Sequence, residues 1–223
     1  MTAPLRIAVA GLGTVGMGTI EILRANSQIL ARRAQRPFEV VAVSARDRDR
    51  DRGADISNFC WYDDPVKMAA EVECDVVIEL IGGSGDIAKS VCKNAIAKGR
   101  HIVTANKALL ALHGTELAKS SESAGVAFCY EAAVAGGIPV IKTLRESLAS
   151  NSVSRIQGIL NGTCNFILSS MRTSGSAFGE VLEEAQKLGY AESDPSLDID
   201  GIDAAHKLAI LSSIAFGTEL DFE

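Results

Sequence analysis

A strand that runs straight into three spaced glycines restricts this chain more than any other feature. Leu5 to Ala10, L-R-I-A-V-A, is apolar and reads as a buried first strand, and Gly11, Gly13 and Gly16 follow at G-x-G-x-x-G spacing. Residues 14–25, T-V-G-M-G-T-I-E-I-L-R-A, read as a helix with apolar Val15, Ile20, Ile22 and Leu23. Gly11 permits the tight turn, Gly13 lets a pyrophosphate approach the backbone, and Gly16 lets helix and strand pack closely. The phosphates then lie at the positive end of the helix dipole, where free N–H groups point outward. Glycine-rich turns are common, so the spacing alone is weak. Its place after a strand and before a helix is what points to a dinucleotide cradle, made of Gly11, Leu12, Gly13, Thr14, Val15 and Gly16.

Further along, strand-like runs at 38–44, 75–81, 100–105 and 126–131 alternate with helical stretches such as 86–98 and 115–124. Regular alternation predicts a parallel sheet covered on both faces, an α/β fold of the Rossmann-type doubly wound class over residues 1–135. Past that point come a helix near 137–149, a strand-like S-V-S-R-I-Q-G-I-L (152–160) and three helical segments ending near Phe216. Residues 136–223 therefore read as an incomplete α/β substrate domain.

Composition narrows the function classes. The 223 residues are 47% hydrophobic, yet no apolar run approaches the roughly 20 residues needed to cross a bilayer. The start, M-T-A-P-L-R, lacks the regions of a signal peptide, so a cytoplasmic setting is expected. A net charge of −6 argues against a nucleic-acid partner. The five cysteines form no C-x-x-C pair and read as reduced thiols.

Cofactor choice in such sheets is made at the tip of the second strand, where an acid binds a ribose 2′-hydroxyl and an arginine accommodates a 2′-phosphate. Here the strand ends at Val43 and Ser44, with Arg46 next and no acid at the tip, which favours NADP over NAD. The rest of R-D-R-D-R-D-R (46–52) is equally consistent with a solvated loop of compensating charges. T-A-N-K-A-L-L (104–110) follows a strand at the sheet edge where ligands bind, which directs Lys107 toward the nicotinamide end of the cleft.

Residues 185–207, A-Q-K-L-G-Y-A-E-S-D-P-S-L-D-I-D-G-I-D-A-A-H-K, crowd acids ahead of a helix predicted from about Asp200. Aligned as a calcium loop, Ser196, Asp198, Asp200 and Gly201 fall at positions 1, 3, 5 and 6, but position 12 is Lys207 rather than a bidentate glutamate. An EF-hand is excluded. Asp203 and Lys207 share one helix face, and as a surface pair they would contribute only about 0.3–0.5 kcal/mol. With Glu192, Asp194, Asp198 and Asp200 nearby, the segment suits an amino-acid alcohol, with carboxylates for an ammonium and a lysine near a hydroxyl.

The glycine fingerprint and the 185–207 segment together resemble the homoserine dehydrogenase family, and the similarity runs along nearly the whole chain. The resemblance implies reversible interconversion of L-homoserine and L-aspartate 4-semialdehyde with NADP, or NAD, in the pathway to threonine, methionine and isoleucine. It implies Lys207 as the proton-transfer group with Lys107 as second candidate, Glu192 and Asp203 at the substrate, and Asp198 ordering the acidic loop. Thr163 and Tyr190 would line the substrate site, while Asn106, Lys107, Gly189 and the E-L-I-G-G loop with Ile81 and Gly82 would face the cofactor. It also implies a monovalent cation, commonly sodium, on the backbone carbonyls of Glu131, Val134, Gly136 and Ile138. Those residues by themselves fit a glycine-rich connector without an ion equally well. Family members continue past the position of Glu223, some with an ACT regulatory domain, and dimerise; this chain is therefore expected to be a truncated form of a homodimeric enzyme.

Two other readings come from the residues. Cys164 of N-G-T-C-N, with His206 as base, could serve an acylating aldehyde dehydrogenase. A nucleotide-binding module without catalysis is the other.

Overall fold

The computed structural model describes residues 2–83 and 85–222. Its contacts divide the chain into two compact units that meet between Gly137 and Ile138.

The N-terminal unit is built on six parallel strands: β1 (Leu5–Ala10), β2 (Phe38–Ser44), β3 (Cys60–Tyr62), β4 (Val76–Glu79), β5 (His101–Thr104) and β6 (Phe128–Cys129). Helices α1 (Thr14–Ala25), α2 (Ser27–Ala34), α3 (Pro65–Glu71), α4 (Asp86–Ala97) and α5 (Lys107–Ser123) connect them. The sheet order is β3-β2-β1-β4-β5-β6, so the chain leaves β1 toward one edge and later returns to build the other half. This is the doubly wound order expected of a Rossmann-type sheet, and β1 and β4 flank its switch point.

Ile7, Val9, Leu12, Met17, Ile20, Val43, Val76 and Ile78 form a buried cluster between α1 and the sheet. On α1 the inward residues are Gly16, Met17 and Ile20, whereas Val15 and Ile22 are 58% and 59% exposed. Val15 and Ile22 lie two turns apart on the opposite side of the helix, so the apolar stripe expected from them faces away from the core. Helix α5 begins at Lys107, eight residues before the expected helical stretch, because the Asn106 side chain caps it by accepting from Leu109 N. At the carboxyl edge of the sheet Tyr62, Ser44, Ala10, Glu79 and Thr104 pair in one row across five strands, which places their side chains on one face.

The C-terminal unit contains α6 (Val140–Lys142), continued by a π turn over Thr143–Ser147, then α7 (Gly162–Ser174), α8 (Phe178–Lys187), α9 (Ser196–Ile199) and α10 (Ile202–Phe216). Ile167, Val181, Ala185 and Ala191 form its buried apolar cluster, with α7 against α8. The strand expected over 152–160 is not formed, and the described residues of this unit contain no strand. A strand exists only as one side of a hydrogen-bonded ladder. Residues 152–160 carry strand-like composition, but no second strand in this unit pairs with them.

Candidate active site

The three glycines of the fingerprint do three different things. Gly11 adopts φ +102°, and a Cβ there would overlap the carbonyl of Leu80. A Cβ on Gly16 would overlap the carbonyl oxygen of Gly11, so this glycine is what lets α1 start so close to β1. Gly13 has open space around it, with nothing within 4 Å of an added Cβ. It is the N-cap of α1, with no side-chain cap and no acid in the first turn, which leaves the first-turn N–H groups uncovered by protein carboxylates. The turn is tied to its neighbours on both sides, through Gly11 N to Ser44 O at 2.9 Å and Leu80 N to Ala10 O at 2.7 Å. A bare helix N-terminus behind a side-chain-free turn at the switch point has the form of a phosphate cradle.

Beside it, the ends of β4 and β5 are joined by side chains. Glu79, fully buried, accepts from Ile81 N at 2.8 Å and from Thr104 Oγ1 at 2.6 Å. Asn106 N donates to Thr104 Oγ1, and Asn106 Nδ2 donates to Gly83 O at 2.8 Å. Gly82 and Gly83 both lie at φ +75° with open space on the side where a Cβ would stand. Lys107 is the first residue of α5, a position where the helix dipole disfavours a cation by about 0.3–1 kcal/mol. Arg46 lies exposed two residues past β2. Beyond it the R-D-R-D-R-D-R loop is more ordered than a solvated charge run: Asp47 and Asp51 accept from Asp49 N and Gly53 N, and the Arg52 guanidinium stacks on Trp61 at 5.6 Å.

In the C-terminal unit the acidic segment folds around one amide. Lys207 Nζ donates to Asp203 Oδ2 at 2.6 Å and to the Leu160 carbonyl at 2.8 Å. Asn161 Nδ2 donates to the same Asp203 oxygen at 2.9 Å and to Asp198 Oδ1 at 2.7 Å, while its own Oδ1 accepts from Cys164 N and caps α7. Asp203 is 8% exposed, so the pair expected at the surface is in fact held inside. The low worth of exposed pairs does not apply to it, since removing one partner would strand a desolvated charge. Asn161 was not among the residues expected at the site. Its signal was an asparagine directly before the apolar helical run of G-T-C-N-F-I-L, the position of an N-cap.

The other expected substrate residues are distributed around this network. Thr163 Oγ1 donates to the Tyr190 carbonyl at 2.7 Å, and the Tyr190 ring packs on Phe166 with centroids 4.7 Å apart while remaining 58% exposed. Gly189 turns the chain out of α8 at φ +77°. Glu192 presents an exposed side chain, and its carbonyl accepts from Gln186 Nε2 at 3.0 Å. Asp194 is spent locally: Ser196 Oγ and N both donate to Oδ1, and these bonds hold its carboxyl below the ordinary range.

Comparison with known proteins follows this division. Residues 11–131 match the family model described as "Homoserine dehydrogenase, NAD binding domain", and residues 139–223 match "Homoserine dehydrogenase". The chain belongs to the homoserine dehydrogenase family. A homoserine dehydrogenase of Pseudomonas aeruginosa is 50% identical over 222 residues, 99% of this chain and 50% of the relative. The crystal structure of a homoserine dehydrogenase from Thiobacillus denitrificans superposes with a TM-score of 0.92 at 49% identity, over 98% of this chain and 50% of that one. A hyperthermophilic archaeal homoserine dehydrogenase in complex with NADPH gives 0.84 at 30% identity, over 97% and 70%. The chain spans about half the length of the curated relatives it matches.

Within this homoserine dehydrogenase fold the Cys164 alternative fails on chemistry as well as on kinship. Burial, then the charges of Asp198 and Asp203, push the Cys164 thiol up, and its Sγ donates to the Asp198 carbonyl at 3.1 Å. A nucleophilic cysteine needs the opposite surroundings, which favour thiolate. Glu131 opens a short 3₁₀ turn, Val134 is buried, and Ala135 and Gly137 adopt φ +53° and +89° around Gly136. The carbonyl of Ile138 accepts from Val140 N at 2.8 Å. No helix among the described residues is long and apolar enough to cross a membrane.

Proposed function

We propose that this chain supplies the dinucleotide-binding unit and the proton-transfer network of an NADP-preferring homoserine dehydrogenase, which interconverts L-homoserine and L-aspartate 4-semialdehyde. The observation that carries the reading is Lys207, held by Asp203 and the Leu160 carbonyl in the unit that follows a dinucleotide cradle.

The nicotinamide supplies the hydride acceptor or donor; everything else is asked of the protein. The Gly11–Gly16 turn and the first-turn N–H groups of α1 hold the pyrophosphate, and the 81–83 backbone with Asn106 and Lys107 faces the nicotinamide side. Lys207 Nζ has two of its three protons engaged by Asp203 and Leu160, so the third can be given to a substrate oxygen during reduction. In oxidation the same atom takes the hydroxyl proton. Glu192 holds the substrate ammonium, Asp198 and Asp203 fix the polar wall, and Thr163, Tyr190 and Gly189 line it. Lys107 is the second candidate for proton transfer. The carbonyls of Glu131, Val134, Gly136 and Ile138 are hard donors suited to a sodium ion that stiffens the connector. A cytoplasmic homodimer in the pathway to threonine, methionine and isoleucine completes the proposal.

The direct test is homoserine-dependent reduction of NADP, followed by absorbance at 340 nm, on this chain and on a protein of the relatives' full length. Dinucleotide binding with no turnover in either would favour a non-catalytic binding module. Cofactor choice has its own test in Arg46→Ala. A charge-assisted contact to a 2′-phosphate contributes about 1.5–3 kcal/mol, so the Kd for NADP should rise at least about tenfold while that for NAD stays put. Equal effects on the two would remove Arg46 from the site.

A further inference from the structure

We propose that Glu79 is the positioning residue for the nicotinamide half of the dinucleotide: its buried carboxylate locks the loops after β4 and β5 into one shape. This deepens the dinucleotide-binding reading above and rests on it. The cradle after β1 marks the switch point of the sheet, and the two halves of a dinucleotide lie on either side of it. Arg46 follows β2, on the adenosine side. The loop 80–83 follows β4, on the other side, and presents bare backbone through Gly82 and Gly83.

Nothing about two consecutive glycines at positive φ is self-supporting, since glycine loses the most conformational freedom on ordering. The restraint comes from below. Glu79 Oε1 takes the N–H of Ile81, the residue before the glycines; Asn106 Nδ2 takes the carbonyl of Gly83, the residue after Gly82. Asn106 is itself set by its own N–H on Thr104 Oγ1. Because that N–H can only donate, the single hydroxyl proton of Thr104 must go to Glu79 Oε2. Every bond in the chain therefore runs toward the Glu79 carboxylate. A residue there with one acceptor and one donor cannot replace it: a glutamine would set its NH₂ either against the N–H of Ile81 or against the hydroxyl of Thr104.

The sequence also shows that the position is not filled for packing. A carboxylate with 0% exposure in a strand otherwise V-V-I is costly unless hydrogen-bonded, and it is hydrogen-bonded only to groups that shape the two loops. Burial and the charge of Glu79 push the thiol of Cys92, on α4, well above the ordinary range, in accord with a negative group in that layer.

The test is a pair of affinities measured on the whole chain by calorimetry, for NADPH and for adenosine 2′,5′-bisphosphate, which lacks the nicotinamide half. Glu79→Gln should raise the Kd for NADPH about tenfold or more, as the loss of a charge-assisted hydrogen bond implies, and leave that of the fragment within about twofold. Thr104→Val, which removes the proton relay while keeping the shape, should give the same selective loss and carries the test should the glutamine variant fold poorly. Equal weakening of both ligands would make Glu79 a merely structural residue and overturn the proposal, as would no weakening of either. If the unchanged chain binds neither ligand, the dinucleotide reading itself falls, and the proposal with it.

Discussion

In the N-terminal unit the groups that meet a ligand are backbone atoms laid bare by glycine, whereas in the C-terminal unit they are side chains held in place by one another. The first is supported by a parallel sheet with an apolar cluster behind it. The second has helices only among its described residues, a smaller apolar cluster, and a polar network in which Asn161 grips two aspartates. The lesson is that a bare backbone needs a rigid scaffold to be bare in one place, while a charged group needs partners more than scaffold. Each kind of site should therefore fail in its own way.

The largest expected effect is on the scaffold. Gly16→Ala forces a Cβ into the Gly11 carbonyl, and relief requires α1 to move off β1. About 3 kcal/mol of stability should be lost, at the top of the range for overpacking, together with dinucleotide binding. Hydrogen exchange should place that loss in residues 5–129 and leave α7–α10 protected. A uniform loss across the chain would break the comparison.

Asn161→Ala should do the reverse at somewhat smaller cost. It removes the α7 cap, about 1 kcal/mol, and leaves Asp203 and Asp198 each short of a donor, about 1 kcal/mol more. Urea unfolding followed by exchange should localise this in the C-terminal unit, with dinucleotide affinity unchanged. Affinity lost in step with stability would contradict the separation.

How much of this could be read from the sequence follows the same line. The bounds of β1, β2 and α1 were legible because strand and glycine spacing leave one solution. β3 was not, since C-W-Y is three residues between polar turns and becomes a strand only by pairing with Ala42, Val43 and Ser44. Helix α3 announced itself through Asp64 before Pro65, a capping aspartate and a first-turn proline. The exposed α2, S-Q-I-L-A-R-R-A, carries no buried stripe to reveal it. The 152–160 segment misled because alternation reports a pattern and not a partner. At the site, the acids and lysines were visible as residue types. Their burial was not: nothing local distinguishes an Asp–Lys pair four apart on a wet face from one closed over by Asn161 and Leu160.

The smallest effect concerns the outside of the N-terminal unit. Glu116 on α5 bridges Lys89 and Lys93 on α4, and these bonds lower its pKa from 4.5 to about 2. Its bridge thus favours folding fully above pH 4.5 and is lost as the pH falls through about 2. Because the group is exposed, comparison with Glu116→Gln should show only a slight acid-side difference in thermal midpoint, confined to that window and shrinking with added salt.

The measurement that bears most directly on the separation of binding from proton transfer is Lys207→Ala in a protein of the relatives' full length, with turnover and NADP affinity determined side by side. Turnover should fall at least about 100-fold, the lower end of general acid–base contributions, while the Kd for NADP stays within about twofold of the unchanged protein. Near-normal turnover would move the proton to Lys107 or to water and contradict the account at its central residue.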